Sequence, residues 1–573
     1  MTMMLWGEEA VMPVERSMIF VTFESAFAPL GGLAAVMRVL PQKMAQQESG
    51  SCAILTPFFR EITKCQKTLY DAIQFTGHHF DLVFAQQSHR VDMYVYINPE
   101  GFPTYLIDTT DFFNAPCHCE DPPSLNAPCN PYLTPHHPEQ LLQDSLFFCA
   151  AVPKALTALG LTKHVVLSLQ DWETAATALT VKEDDAIESA TCFLTVHNPY
   201  DQPITEEDIR QFSTCSLEGT SVLTTMIPFL DGPLSTVSDN FAKELIEDPL
   251  HTTIYASHLQ AAFTQKGLVG INNGVFGSLD FPPIAIEKAK QGEVQPLLQE
   301  KRRRRDEMIT ILEDYQPNQA WGSLDWAEFE GPVFLFFGRD DPRQKGYDLA
   351  AAAIQQIPKG KARFIFTPIP GDEGITGLEF LRMLAEERQG EVKVFPFRMA
   401  QGYSELQKGA SFLVMCSFYE PFGGATEGYV VGTPVIARAT GGLVQQVVPY
   451  PARCYSESVR QRTNHFHEDH CHPSGFLFRE PDLSEDDFKT GWQTIVDCAY
   501  WPHGDRLAER MTTRLFRAMV DEASIALLDA IDLYTNHPLN YAAMIQQGFQ
   551  MAASFSWDMT VRNYQKLFQS VVK

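Results

Sequence analysis

The 573-residue chain has no run of about 18 or more consecutive apolar residues, so no bilayer-crossing helix is predicted. It has no excess of positive charge either. Lys and Arg number 44 against 71 Asp and Glu, a net charge of −27. So acidic a chain is a poor non-specific binder of nucleic acid and of anionic membrane surfaces. A neutral polymer, or a small ligand held in a local basic pocket, stays compatible. The first residues, MTMMLWGEEAVMPVERS, lack a basic start and carry two glutamates within their apolar part, which argues against a secretory signal. The paired C-x₂-C spacing of a structural zinc site is missing. The twelve cysteines are scattered, several inside apolar runs (Cys149, Cys192, Cys416). That pattern suits buried thiols in a reducing cytoplasm better than a disulfide framework. A cytoplasmic location is therefore expected. No internal repeat is found.

The length predicts two large domains rather than one. The hydrophobic share of 45% and charged share of 20% are ordinary for a globular protein. Met18–Phe23 predicts a buried strand, followed by Glu24 and the turn Pro29-Leu30-Gly31-Gly32-Leu33. The next helix places Leu33, Val36, Met37 and Leu40 on one side. Ala53–Leu55, Val91–Val95, Thr104–Leu106, Val165–Leu169 and Cys192–Val196 read as further strands. A helical stretch from Trp172 to Val181 separates the last two. A second block begins at Val333–Phe337 and continues through Phe364–Thr367, Val392–Phe395 and Ala410–Cys416. After Gly475-Phe476 the chain turns helical to its end. Strands alternating with helices predict two α/β units with parallel sheets, joined near Asn318–Glu330. Ligands in such folds sit at the carboxyl ends of the strands, so the site is expected in the cleft between the halves. The basic run Lys301-Arg302-Arg303-Arg304-Arg305 is expected on a solvated helix face.

The second block is organised around Cys416 to Val448. A strand ends there, and Glu420-Pro421-Phe422-Gly423-Gly424 turns into a short helix. The strand Pro434–Ala437 follows, then a second turn at Thr440-Gly441-Gly442. A glycine-rich turn lets backbone approach an anion, and a helix N-terminus offers free N–H groups. Gly338-Arg339 ends another strand, with Lys345-Gly346 shortly after. Cations so placed can reach one diphosphate. Two clusters raise the question of metal: Cys117, His118, Cys119 with Cys129, and His465, His467, His470, Cys471, His472. Neither has the spacing of a structural site, and no metal is expected.

Taken in order, these motifs resemble the bacterial glycogen and plant starch synthases, glycosyltransferase family 5 of the GT-B fold. Glu24 with Gly31-Gly32-Leu33 resembles the N-terminal glycine loop. Asp171-Trp172 with Thr174-Ala175 resembles HDWHTA, and Thr195-Val196-His197-Asn198 matches TVHN. Thr236-Val237-Ser238 with Glu244-Leu245 resembles TVSPTYAREI. Gly270-Ile271-Asn272-Asn273-Gly274 resembles GILNG, and Gly338-Arg339 with Gln344-Lys345-Gly346 resembles GRLTEQKG. Glu420-Pro421-Phe422-Gly423 and Thr440-Gly441-Gly442-Leu443 resemble EPCGL and TGGL. Phe555-Ser556-Trp557 with Tyr564 resembles the C-terminal FSW…Y helix. The sequence departs from the family at Pro29, where the loop lysine is expected, and at Ala35, Gln170 and Glu173. It is also one residue shorter after Glu420, where the pattern becomes the broader EPFG…E with Glu427 as second carboxylate.

The resemblance implies two Rossmann-like domains, 1–325 for the acceptor and 326–545 for the donor, with 546–573 as a helix crossing back. It implies a retaining hexosyltransferase using a nucleotide sugar, ADP-glucose before UDP-glucose, and an α-glucan acceptor. An oligosaccharide or small-molecule acceptor, or a non-catalytic glucan-binding protein, are the alternatives. Catalytic roles fall on Glu420, His197, Arg339 and Lys345. Donor contacts fall on Gly31, Gly32, Asn198, Asn273, Gly338, Gly423, Gly424, Ala425, Thr426 and Glu427. Glu24 and Asp171 lie on the acceptor side, and Asp171 also reads as a helix cap. No cofactor or metal is implied.

Overall fold

The computed structural model describes residues 16–47, 50–115, 129–132, 138–217, 219–371, 373–399, 401–467 and 472–571. Two sheets organise it. The first contains β1 (Ser17–Val21), β2 (Cys52–Pro57), β3 (Gln74–Phe84), β4 (Gln87–Ile97), β5 (Pro103–Asp108), β6 (Val165–Gln170), β7 (Ala190–Val196), β8 (Leu234–Thr236) and β9 (Leu268–Gly270). Their spatial order is β3-β4-β5-β2-β1-β6-β7-β8-β9. The second contains β10 (Trp321–Leu324), β11 (Val333–Arg339), β12 (Arg363–Ile369), β13 (Glu391–Val394), β14 (Phe412–Met415), β15 (Val435–Arg438) and β16 (Gly475–Phe478), in the order β10-β13-β12-β11-β14-β15-β16. The central strands are buried apart from Ser17 at the start of β1, as their largely apolar sequences require.

Both sheets are mainly parallel but mixed. In the first, β3 pairs antiparallel with β4, and β4 with β5. In the second, β10 pairs antiparallel with β13. β3 has an apolar run only at its end, Leu82-Val83-Phe84, and is mostly exposed, so its pattern gives little strand signal. Its two-residue turn is Ala85-Gln86, both at positive φ. A hairpin of this kind normally announces itself with Asn-Gly or Asp-Gly, which is absent here. The expected linker also proves to be partly structured, because β10 lies within it.

Helix α1 (Gly32–Ala45) buries Leu33, Val36, Met37 and Leu40, the side read from the sequence. Helix α2 (Gln295–Asp314) overturns the solvated reading of the basic run. Lys301, Arg304 and Arg305 are buried with Leu297, Leu298, Met308 and Leu312, a stripe at helical spacing. The Lys301 ammonium donates to the carbonyls of Lys408 (2.7 Å) and Ala410 (3.0 Å) and to the Thr433 hydroxyl (2.9 Å). Arg305 donates to Gly331 and Phe329 carbonyls. Long cationic stems pack against apolar surface while their heads satisfy loop carbonyls that α2 would otherwise strand. Only Arg302 and Arg303 of the run face solvent.

Helix α3 (Ala425–Val430) and helix α4 (Leu443–Gln446) follow the two glycine turns of the second half. The C-terminal helix α5 (Trp557–Gln569) returns to the first half. Trp557, Val561, Tyr564 and Phe568 share an apolar cluster with Val36 and Leu40 of α1. The Trp557 indole donates to Val275 O at 2.9 Å, and the Thr560 hydroxyl to Asn272 O at 2.7 Å. A second clamp joins the halves at Glu244. Its Oε2 accepts from the Thr440 hydroxyl (2.9 Å) and the Gly441 N–H (2.8 Å).

Cys149, Cys192, Cys416, Cys454 and Cys498 are buried free thiols, Cys215 is a partly exposed one, and Cys52 is buried. Cys65 and Cys129 break the all-thiol expectation. Both are disulfide-bonded, though not to each other, since their Sγ atoms are 3.9 Å apart.

Candidate active site

A cavity of about 500 Å³ opens between the carboxyl edges of the two sheets. From the second sheet, β11 delivers Gly338 and Arg339, and the loop after it delivers Lys345. The turn after β14 delivers Ser417 and Glu420, then Gly423, Gly424 and Glu427. From the first sheet come Gly31 and Gly32 at the start of α1, His197 and Asn198 after β7, and Asn273 after β9. Ala425, Thr426, Glu24 and Asp171 are not in its wall. The Ala425 N–H is already taken by Gln446 Oε1 at 3.1 Å, and the Thr426 hydroxyl is buried without a partner.

The floor of the cavity is an ion pair. Lys345 Nζ lies 2.7 Å from Glu420 Oε2, and the Ser417 hydroxyl donates to the same oxygen at 2.8 Å. The turn is held from behind by glycine. Gly441 has φ +49°, and a Cβ there would meet the Glu420 carbonyl at 1.7 Å. Any side chain would push Glu420 out of place. Burial, and then the charge of Glu420, raise the Glu427 carboxyl above its usual range, with Lys345 opposing. Arg339 approaches Asp341 Oδ2 at 3.4 Å.

On the facing wall, His197 is buried and its Nε2 lies 2.8 Å from Gln170 Oε1. Burial pushes its pKa down to about 3, so the ring is neutral. Asp171 supports it from below. Asp171 makes no helix cap, which corrects that reading; its side chain accepts the backbone N–H groups of His197 and of Asn198 instead. The geometry requires φ +60° at Asp171, a strained value for a residue other than glycine, of the sort that persists where the surroundings over-determine it. The element after it is a single 3₁₀ turn, Trp172–Thr174, followed by a helix at Thr177–Glu183. Burial, and then the neighbouring Asp171 charge, hold Glu173 protonated well above the usual range.

Glu24 is equally occupied. Its Oε1 accepts N–H groups of Leu30 (2.8 Å), Gly31 and Ala34 (3.3 Å), and its Oε2 accepts the Tyr132 hydroxyl (2.9 Å). The Gly31 amide is therefore turned to an internal carboxylate, away from the role of phosphate donor that the resemblance implied. Sequence reasoning missed Ser417, Tyr347 and Arg398, which line the cavity. Ser417 had a signal, lying three residues before Glu420 at a strand end; Arg398 follows β13 in a loop with none. Of the suspected metal clusters, Cys117, His118, Cys119, His470 and Cys471 lie outside the described residues. His467 is held by the Val444 carbonyl at 2.8 Å. Among the described residues no group of three or more His, Cys, Asp or Glu is placed to hold a metal.

Residues 17–261 match the model of the starch synthase catalytic domain, and residues 297–462 that of a family 4 glycosyltransferase in conflict systems. Glycogen synthase 2 of Agrobacterium fabrum is 24% identical over 570 residues, 95% of this chain and 91% of that one. A probable glycogen synthase of Methanocaldococcus jannaschii is 31% identical over 166 residues, 29% of each chain. Among solved structures, the catalytic domain of starch synthase IV from Arabidopsis thaliana superposes with a TM-score of 0.67 at 16% identity. It covers 97% of this chain and 99% of that one. Sucrose-phosphate synthase from Thermosynechococcus elongatus gives 0.50 at 15% identity, with 97% and 99% covered. Two parallel-dominated sheets facing across a cleft, with these structural neighbours, define the GT-B fold, and the starch synthase match with the glycogen synthase relatives makes the chain a hexosyltransferase of that fold. Within that class residues 17–261 match the starch synthase catalytic domain, and the chain as a whole is similar to the glycogen and starch synthases, as a divergent relative.

Proposed function

We propose that the chain is a retaining glucosyltransferase that moves glucose from a nucleoside diphosphate sugar to an α-glucan, in the cytoplasm. The observation that carries this reading is the Lys345–Glu420 pair on the cavity floor, with Arg339 beside it and His197 opposite. Lys345 and Arg339 neutralise the diphosphate as its bond to the sugar C1 breaks. The acceptor oxygen bonds to C1 from the same face, and its proton passes to the departing phosphate oxygen. Glu420 holds the donor sugar's hydroxyls. Cationic side chains supply the charge stabilisation, so no resident metal or cofactor enters the scheme. The division at 1–325, 326–545 and 546–573 would let the halves close on the donor. The Arabidopsis structure holds ADP and acarbose, which makes ADP the first nucleotide to try and UDP the second.

The same chemistry on an oligosaccharide or small acceptor is the second reading. It is favoured by Pro29 in the N-terminal loop and by Glu24 engaging the Gly31 amide. A thermal-shift series with ADP, UDP and GDP, with and without glucan, tests the donor, because a specific nucleotide raises the melting temperature by mass action. Chain-length analysis of labelled products tests the acceptor. Lengthened glucans support the first reading, and a single-addition product the second. No shift with any nucleotide, together with no transfer, overturns both and leaves a non-catalytic glucan binder.

A further inference from the structure

We propose that Gln170 is a positioning residue that fixes the His197 ring as its Nε2–H tautomer, leaving Nδ1 as a hydrogen-bond acceptor that selects a sugar hydroxyl at that wall of the cavity. The proposal rests on the reading of the cavity as a nucleotide-sugar site.

Gln170 is the last residue of β6 and is 1% exposed. Its amide nitrogen donates to the Ser168 carbonyl at 3.1 Å and to the Ser168 hydroxyl at 2.9 Å. A carbonyl only accepts, so the NH₂ end must lie on that side. The amide oxygen then faces His197 Nε2 at 2.8 Å, and it too only accepts. The proton is therefore on Nε2. A neutral imidazole has a single N–H, so Nδ1 carries a lone pair. Burial keeps the ring neutral, with its pKa near 3. His197 lines the cavity, while Nδ1 has no partner among the described residues and is not sealed from solvent. Asp171, gripping the His197 and Asn198 amides, fixes the backbone that carries the ring. A ligand group that donates is favoured against Nδ1. One that only accepts, such as a carboxylate or a fluorine, meets lone pair against lone pair.

The first test needs no ligand. In full-length protein labelled with ¹⁵N-histidine, the His197 ring is identified by its loss in His197→Asn. It should show a protonated Nε2 and a bare Nδ1, unchanged between about pH 5 and 8. Neutron diffraction of the wild type reads the same protons if that variant does not fold. A proton on Nδ1 overturns the proposal. In Gln170→Leu the tautomers should mix; an unchanged ring also overturns it.

The second test uses monodeoxy and monodeoxyfluoro versions of the glucosyl nucleotide. At one ring position both should lower kcat/KM by roughly tenfold, the worth of one hydrogen bond, and that gap should close in Gln170→Leu. A fluoro sugar that keeps the full rate at every position overturns the selectivity. If the chain transfers no sugar, the function proposed above fails, whereas the tautomer result stands or falls by itself.

Discussion

Replacing Glu420 by alanine is expected to tighten binding of a free nucleoside diphosphate and to slow sugar transfer by orders of magnitude, two effects of opposite sign from one change. Without ligand, Lys345 Nζ is 2.7 Å from Glu420 Oε2, and the two side chains are 20% and 10% exposed. A hydrogen bond to a charged group contributes about 1.5–3 kcal/mol net. An arriving phosphate must share or break that contact and also meets the carboxylate's negative charge. Because Lys345 is one-fifth exposed, water replaces part of the lost contact, and about 1.4 kcal/mol is left to favour phosphate, roughly tenfold in affinity. The reacting sugar loses a partner, at a cost of about 10²–10³ in kcat. Calorimetric titration of ADP and UDP against both proteins reads the first effect, and nucleotide release from the donor reads the second. Unchanged or weaker nucleotide affinity would show that Lys345 does not turn from Glu420 to phosphate. Turnover at the wild-type rate would remove Glu420 from the site altogether.

Asp144 is 3% exposed, its Oδ1 has no partner among the described residues, and burial pushes its pKa up to about 7. The folded chain thus holds a proton that the unfolded chain releases near pH 3.9, so this group's stabilisation is full below about pH 4 and is lost as pH rises to about 7. Asp144→Asn should raise the melting temperature at about pH 8, by at most about 4 kcal/mol in stability, and leave it nearly unchanged at about pH 4. Equal effects at the two pH values would contradict this. Lys301→Met should destabilise by roughly 2–3 kcal/mol, because two carbonyls lose a buried donor. Exposed Arg302→Met should stay within about 0.5 kcal/mol; equal denaturant midpoints for the two would restore the solvated-face reading.

Local periodicity made much of the scaffold legible. The apolar runs at β1, β6, β11 and β14 and the Leu33-Val36-Met37-Leu40 stripe of α1 are short-range patterns, and the strands and helix lie where those patterns put them. Glycine turns ending buried strands likewise pointed to the cavity edge, since only a few chain conformations fit there. Periodicity says that a face is buried but not against what. Tertiary structure decided the rest. The hairpin at Ala85-Gln86 has no turn chemistry of its own; β4 is held by β5 on one side, and β3 pairs on its other side as the edge strand of the sheet. The basic run is buried because unpaired carbonyls around Lys408 and Gly331 come within reach of α2. The Gly31 amide, which looked available to phosphate, is satisfied by Glu24, whose other carboxylate oxygen is held by the Tyr132 hydroxyl. Lys345 and Glu420 are 75 residues apart, and Gln170 and His197 are 27 apart. What a charge or an imidazole does depends on the dielectric and the partners around it, and those exist only once distant segments have packed.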